Sequence, residues 1–257
     1  FLLKWIAIIM MILALMSPVK DEPYELEPKD GYEIALILDA SQSMQAKGFD
    51  RNNPNLTRFD AVQSIVGDFI DTRKNDNIGL VVFGAYSFIA SPLTYDEHIL
   101  KRIVSQLQIG MAGKYTALYE SLAQGVNLLK MTESKSKVAI LLTDGFSTEG
   151  VDKVPLDVAL DLAKKEGVKV YPIGIGLPNE YNKKVLIDIA KGTGGVAFGA
   201  SSASELEQVY KKIDELEKSE IKNETFTYLK YYYFYPLFVG LIALMLYVYL
   251  RNKRGHN

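Results

Sequence analysis

The middle of this chain alternates between short unbroken apolar runs and longer stretches of helical period. Glu33-Ile34-Ala35-Leu36-Ile37-Leu38 is nearly continuously apolar and is bounded by Gly31 and a polar loop. That pattern predicts a strand buried on both faces of a parallel sheet. Asn77 to Phe83, Lys137 to Leu142 and Lys169 to Gly174 are predicted strands of the same kind. Ser87 to Ala90 reads as a short edge strand and Val196 to Phe198 as the last one. Between them Phe59, Val62, Ile65, Val66, Phe69 and Ile70 recur at helical spacing. Further helices are predicted over Tyr95 to Leu107, from about Leu118 to Leu129, over Leu156 to Glu166 and over Lys183 to Ala190, which leads into the turn Gly192-Thr193-Gly194-Gly195. The last has Leu206, Val209, Tyr210, Ile213 and Leu216 on one stripe. Strands alternating with helices predict an α/β fold, doubly wound, with a mostly parallel central sheet and helices on both faces. Strand order is not readable from the pattern.

Both ends follow a different rule. Residues 231–250 contain no charge, about the length needed to cross a bilayer, and begin in a crowd of tyrosines that suits an interfacial belt. Residues 1–17 are also apolar apart from Lys4 and read as a transmembrane helix truncated at its N-terminus, because no initiator Met is present. A signal peptide is the competing reading, weakened by the lack of a small-x-small cleavage site near Ser17-Pro18. Residues 18–31, with three prolines and alternating charges, read as a tether, and 220–230 as a juxtamembrane linker. The basic tail 251–257, with Arg251, Lys253 and Arg254, predicts a cytoplasmic C-terminus. Lys4 and the acidic stretch after the first segment orient the other end the same way. The central domain, residues 32–219, is then expected beyond a bacterial inner membrane, periplasmic in a Gram-negative source.

Composition narrows the chemistry. A net charge of -2 and no basic patch with interleaved aromatics give no reason to expect nucleic acid. The absence of cysteine excludes disulfides, thiolate metal sites and a Cys nucleophile. Only two histidines, His98 and His256, leave zinc catalysis and Ser-His-Asp hydrolysis almost without parts, and His98 sits on an amphipathic helix where a structural or solvated role is the ordinary one. GMAGKYT at 110–116 lacks the spacing of a P-loop, and Gly174-Ile175-Gly176 is not followed by a glycine opening a helix, so neither nucleotide motif holds.

What remains is oxygen chemistry at strand ends. Asp39-Ala40-Ser41-Gln42-Ser43 follows the first strand and Thr143-Asp144-Gly145 follows another, while Thr116 opens a helix. Open α/β sheets place ligand sites at the carboxyl ends of their strands. Carboxylates and hydroxyls without Cys or His suit Mg²⁺ rather than zinc. The alternative is that Ser41, Asp39 and Thr116 merely cap helices.

Asp39-x-Ser41-x-Ser43, then Thr116, then Asp144, in that order on βα loops, resembles the metal-ion-dependent adhesion site of von Willebrand factor A domains. The resemblance covers about Tyr32 to Tyr210. Asp76 to Phe83, Ser91 to Thr94, Thr116 to Leu118, Ile140 to Gly145 and Val170 to Gly176 are most similar to the bacterial aerotolerance (Bat) group of membrane-anchored A domains. The resemblance implies a non-enzymatic docking module. Ser41, Ser43 and Thr116 would touch a divalent cation, Mg²⁺ with Mn²⁺ or Ca²⁺ as alternatives, and Asp39 and Asp144 would hold its waters. A protein partner would supply an acidic residue to the metal. Other membrane proteins of the Bat type, and a MoxR-type AAA+ ATPase, are the partners it suggests within an envelope complex. The chain departs from the pattern in its long polar loop, Gln45 to Thr57, and in Lys114-Tyr115 where smaller residues are expected. Two other readings stay open: a Mg²⁺-dependent hydrolase or phosphotransferase with Asp39 as nucleophile, and a metal-free membrane scaffold.

Overall fold

A computed structural model describes residues 2–24, 31–49, 54–132, 136–223 and 226–254. Residues 25–30 of the expected tether, 50–53 of the polar loop and 255–257 of the basic tail lie outside the described residues. The chain divides into two units, Pro28–Lys218 and a second made from Phe1–Glu27 with Ser219–Asn257.

In chain order the elements are α1 (Leu2–Leu15), β1 (Val19–Tyr24), β2 (Glu33–Asp39), α2 (Arg58–Asp71), β3 (Asn77–Phe83), β4 (Ser87–Thr94), α3 (Glu97–Gln106) and α4 (Leu118–Lys130). They continue with β5 (Lys137–Thr143), α5 (Leu156–Lys165), β6 (Val168–Ile175), α6 (Lys183–Thr193), β7 (Phe198–Ala200), α7 (Ala203–Asn223), β8 (Phe226–Tyr231) and α8 (Phe234–Arg254).

The larger unit holds a six-stranded sheet in the order β4-β3-β2-β5-β6-β7. Every neighbouring pair is parallel except β3 with β4. β2 lies inside the sheet and every one of its residues is buried, which is why its apolar run is continuous rather than alternating. On one face Ala35, Ile37, Val81, Phe83, Ala139 and Leu141 pack against the apolar stripes of α4 and α5. Gly125 lets α4 lie directly on β2: a Cβ there would stand 2.3 Å from Ile37 Cδ1. α2 presents Phe59, Val62, Val66 and Ile70 as its own buried stripe. The doubly wound α/β reading of the sequence matches this architecture.

Several boundaries moved, for local reasons. β4 runs to Thr94 rather than ending at Ala90, antiparallel to β3 and with register shifts along the pair. As an edge strand it tolerates Pro92, which has no N–H for a second neighbour. The last strand of the six-stranded sheet is Phe198–Ala200, not 196–198. Gly195 passes so close to Val170 that a Cβ would meet its carbonyl oxygen at 2.0 Å, and ladder pairing starts three residues on. Gly194, at φ 77°, closes α6 in the left-handed conformation, so Gly192 and Thr193 belong to the helix rather than to a turn.

In the smaller unit α1 and α8 pack through small residues. Ala7 and Ala243 are buried, and a Cβ on Gly240 would come within 3.2 Å of Met10 Cβ. The stretches expected to be tether and linker contribute a two-stranded antiparallel ribbon, β1 with β8, registered from Val19 opposite Tyr231 to Tyr24 opposite Phe226. β8 consumes Tyr231, so the apolar helix begins at Phe234, later than the uncharged run alone implies. Phe234–Lys253, 20 residues, is long and apolar enough to cross a membrane. α1, with 14 residues, is apolar but shorter than a bilayer-crossing helix of about 20.

Candidate metal centre

In-register parallel pairing sets the candidate acids beside each other. Leu38 stands opposite Leu142, so Asp39 at the end of β2 neighbours Thr143 at the end of β5, and Asp144 is one residue further out. Asp39 and Asp144 are both buried, 1% and 3% exposed. One Asp39 oxygen accepts the Ser41 N–H at 2.9 Å and the other accepts the Thr143 hydroxyl at 2.7 Å. Asp144 Oδ1 accepts the Phe146 N–H at 3.2 Å.

The hydroxyls come from the loops around this pair. Ser41 is fully buried, and its Oγ lies 3.0 Å from the Oγ of Ser43. Neither serine caps a helix: the short 3-10 turn that follows receives no side-chain bond from Ser41. Thr116 is buried as well and stands one residue before the N-cap of α4, which is Ala117 without a side-chain cap. The capping alternative therefore fails for Ser41 and Thr116.

Backbone hydrogen bonds lace the three loops together. The Gly110 N–H donates to Ala40 O at 2.7 Å and the Gln42 N–H to Lys114 O at 3.2 Å, which ties the Thr116 loop to the serine loop. The Thr148 N–H donates to Thr116 O at 3.0 Å, and Thr148 Oγ1 accepts the Thr116 N–H at 3.1 Å, which ties it to the Asp144 loop. Gly84 permits the closeness, since a Cβ there would meet the Ala112 and Gly113 carbonyls at 2.7 Å. All five residues singled out from the sequence thus stand on three interlocked loops at one sheet edge.

Electrostatics give the arrangement its character. Burial pushes the Asp39 carboxyl up from 3.8 to about 6, and the neighbouring charge of Asp144 pushes the same way against the hydrogen bonds from Ser41 and Thr143. Among the described residues neither acid has an ion-pair partner, and Lys114, the residue out of pattern, is exposed. Two buried acids with only hydroxyls and amides around them are stabilised by a cation, and the all-oxygen donor set fits a hard divalent ion. No group of three or more His, Cys, Asp or Glu that could hold a metal occurs among the described residues. Any ion here would therefore lean on neutral hydroxyls.

Thr143 and Thr148 escaped the sequence reading. A hydroxyl closing an otherwise apolar strand, immediately before Asp144, was the available signal for Thr143; Thr148 left none.

An aerotolerance-related membrane protein of Bacteroides fragilis superposes with a TM-score of 0.60 at 20% identity, covering 74% of this chain and 100% of that one. The BatB protein of Bacteroides thetaiotaomicron gives 0.58 at 22%, covering 76% and 100%. At such identities the likeness is one of fold. An uncharacterized protein of Borreliella burgdorferi is 27% identical over 237 residues, 83% of this chain and 68% of its own length. The von Willebrand factor type A domain family matches residues 33–212, the whole of the six-stranded sheet with α2 to α6 and the first half of α7, and the chain belongs to that family.

Proposed function

We propose that this chain is a membrane-anchored docking protein that holds Mg²⁺ at the Asp39–Asp144 edge and offers it to a carboxylate of a partner protein. The observation that carries the reading is the pair of buried acids without a cationic partner among the described residues, set beside buried hydroxyls. Ser41, Ser43 and Thr116 would bind the ion through their hydroxyls, while Asp39 and Asp144 would orient its waters. Neutral donors leave much of the ion's charge uncompensated, so it keeps an appetite for an acidic side chain from outside. Mn²⁺ or Ca²⁺ would be held by the same oxygens.

A nucleophilic Asp39 is the weaker alternative. Its side chain is 1% exposed, and both oxygens already accept hydrogen bonds from Ser41 and Thr143. An attacking carboxylate needs reach and a free lone pair, and among the described residues no His stands at this edge to serve as a base. Docking rather than turnover is the role this geometry favours.

The helix Phe234–Lys253 would anchor the domain in the inner membrane. Arg251, Lys253 and Arg254 would face the cytoplasm and place the domain on the periplasmic side. Likeness in fold to the Bacteroides aerotolerance-related and BatB proteins directs the search for partners towards other membrane proteins with such domains, and towards a MoxR-type AAA+ ATPase reached through them.

Calorimetric titration of Mg²⁺ and Mn²⁺ into the detergent-solubilised chain tests the reading. Saturable binding is expected, lost in Asp39→Ala and in Thr116→Ala while both variants keep their folded circular-dichroism spectrum. Equal binding in parent and variants would refute the site.

A further inference from the structure

Two loops of the candidate metal centre, and the β3–β4 turn beside them, carry large apolar side chains that stay exposed. Tyr115, next to Thr116, is 60% exposed; Phe146, two residues after Asp144, is 49% exposed. Met111 and Tyr86 are 40% and 49% exposed. They come from three segments, which hydrogen bonds tie to one another. The Tyr86 hydroxyl donates to Met111 O at 2.9 Å, and its N–H donates to Ala112 O at 3.3 Å. The Phe146 N–H is bound by Asp144 itself, and the Tyr115 segment is fixed on either side by the Gln42–Lys114 and Thr116–Thr148 bonds. These are large apolar groups on pinned backbone around a polar centre, which is the anatomy of a protein-binding hot spot.

We infer that this border sets the specificity of the docking site: it selects a partner segment whose acidic residue is flanked by apolar side chains, the acid meeting the centre and its neighbours meeting Tyr115, Phe146, Met111 and Tyr86. The inference rests on the proposed metal-dependent docking and adds the chemistry of the partner. Charge favours a protein segment over an anionic lipid surface as the occupant. Among the described residues of the loops around the centre, Lys47, Lys114 and Lys153 are exposed, set apart from one another, and Glu149 and Asp152 stand among them. Lipid recognition by headgroup charge needs clusters of basic residues. A single carboxylate between apolar neighbours matches one cation within an apolar ring. Exposed aromatics of two rotatable angles also lose little entropy when covered, so they add contact area cheaply.

The test uses the full chain in detergent with saturating Mg²⁺ and three short fluorescent peptides. One has a central Asp between leucines, one the same Asp between serines, and one Asn between leucines. The leucine-flanked Asp peptide is expected to bind about tenfold more tightly than the serine-flanked one, and the Asn peptide not measurably. In a Tyr115→Ser, Phe146→Ser double variant, both positions being exposed, the advantage of the leucine flanks should vanish while calorimetric Mg²⁺ binding is unchanged. Equal affinity for the two Asp peptides, or an advantage that survives the double variant, overturns the inference and leaves the metal reading standing. So does displacement of the peptide by anionic phospholipid vesicles at the same site, which would name lipid as the occupant. Loss of Mg²⁺ binding in the parent chain removes both readings together.

Discussion

The two edges of the central sheet treat buried acids in opposite ways. At the amino edge Asp76 accepts the Tyr32 N–H at 2.8 Å and pairs with Arg73, which also holds Asp214 at 2.7 Å and stacks over the Phe69 ring. Glu217 is bonded by the Tyr171 hydroxyl and paired with Lys169. Burial raises the Asp76 carboxyl, but the Tyr32 N–H and the Arg73 charge act against it. At the carboxyl edge the second cause after burial is the charge of Asp144, which acts with burial on Asp39. One edge is balanced within the chain and serves to clamp α7 to the sheet. The other is left unbalanced, and a fold retains a buried like-charge pair at a cost when something else supplies the countercharge.

The sharpest way to break the contrast is to unbalance the amino edge. Arg73→Ala takes the Arg73 cation away from buried Asp76 and should cost about 3 kcal/mol in denaturant unfolding. A loss below about 1 kcal/mol would mean that the pairing is not what offsets that charge.

At the carboxyl edge removing a charge should do the reverse. The folded carboxyl of Asp39 stands at about 6 against 3.8 unfolded, so the folded state binds the extra proton between those values. The stability that Asp39 contributes without metal is therefore full below 3.8 and is lost as pH rises through about 6. Asp39→Asn should raise metal-free stability above that range by about 2 kcal/mol, measured by unfolding in chelator. It should also abolish stabilisation by Mg²⁺. A variant less stable than the parent at alkaline pH would make Asp39 an ordinary structural acid.

Thr143→Val takes away the hydroxyl that orients Asp39 and accepts the Gly145 N–H. A loss of about 1 kcal/mol in stability and of about tenfold in Mg²⁺ affinity is expected, read by unfolding and calorimetry. Lys114→Ala should change least. The side chain is exposed, and Mg²⁺ affinity should stay within about twofold of the parent, as expected for a weakly coupled surface charge. A much larger gain would show its ammonium reaching the centre.

What could be read from the sequence follows from which signals are local. The continuous apolar runs of β2, β3 and β5 and the stripes of α2 and α4 are each written within one element, and they were legible. The Asp39, Ser41, Ser43, Thr116 and Asp144 set was legible for a similar reason: strand ends in a parallel sheet converge on one edge wherever the strands lie in order. What escaped needs knowledge of neighbours. β4 lengthens because an edge strand tolerates Pro92, β7 starts late because Gly195 touches Val170, and β1 forms only through β8, more than 200 residues away. Thr143 and Thr148 act across loops, so their roles appear only once β2 and β5 are placed side by side.

The most direct test of the contrast between the edges is the unfolding midpoint of the full chain in detergent, followed from about pH 4 to 8 with and without excess Mg²⁺. The metal-free midpoint is expected to fall as pH rises through about 6, the Mg²⁺ curve not to fall, and the ion to have no effect at the acid end. Two curves that superimpose across the whole range would contradict it.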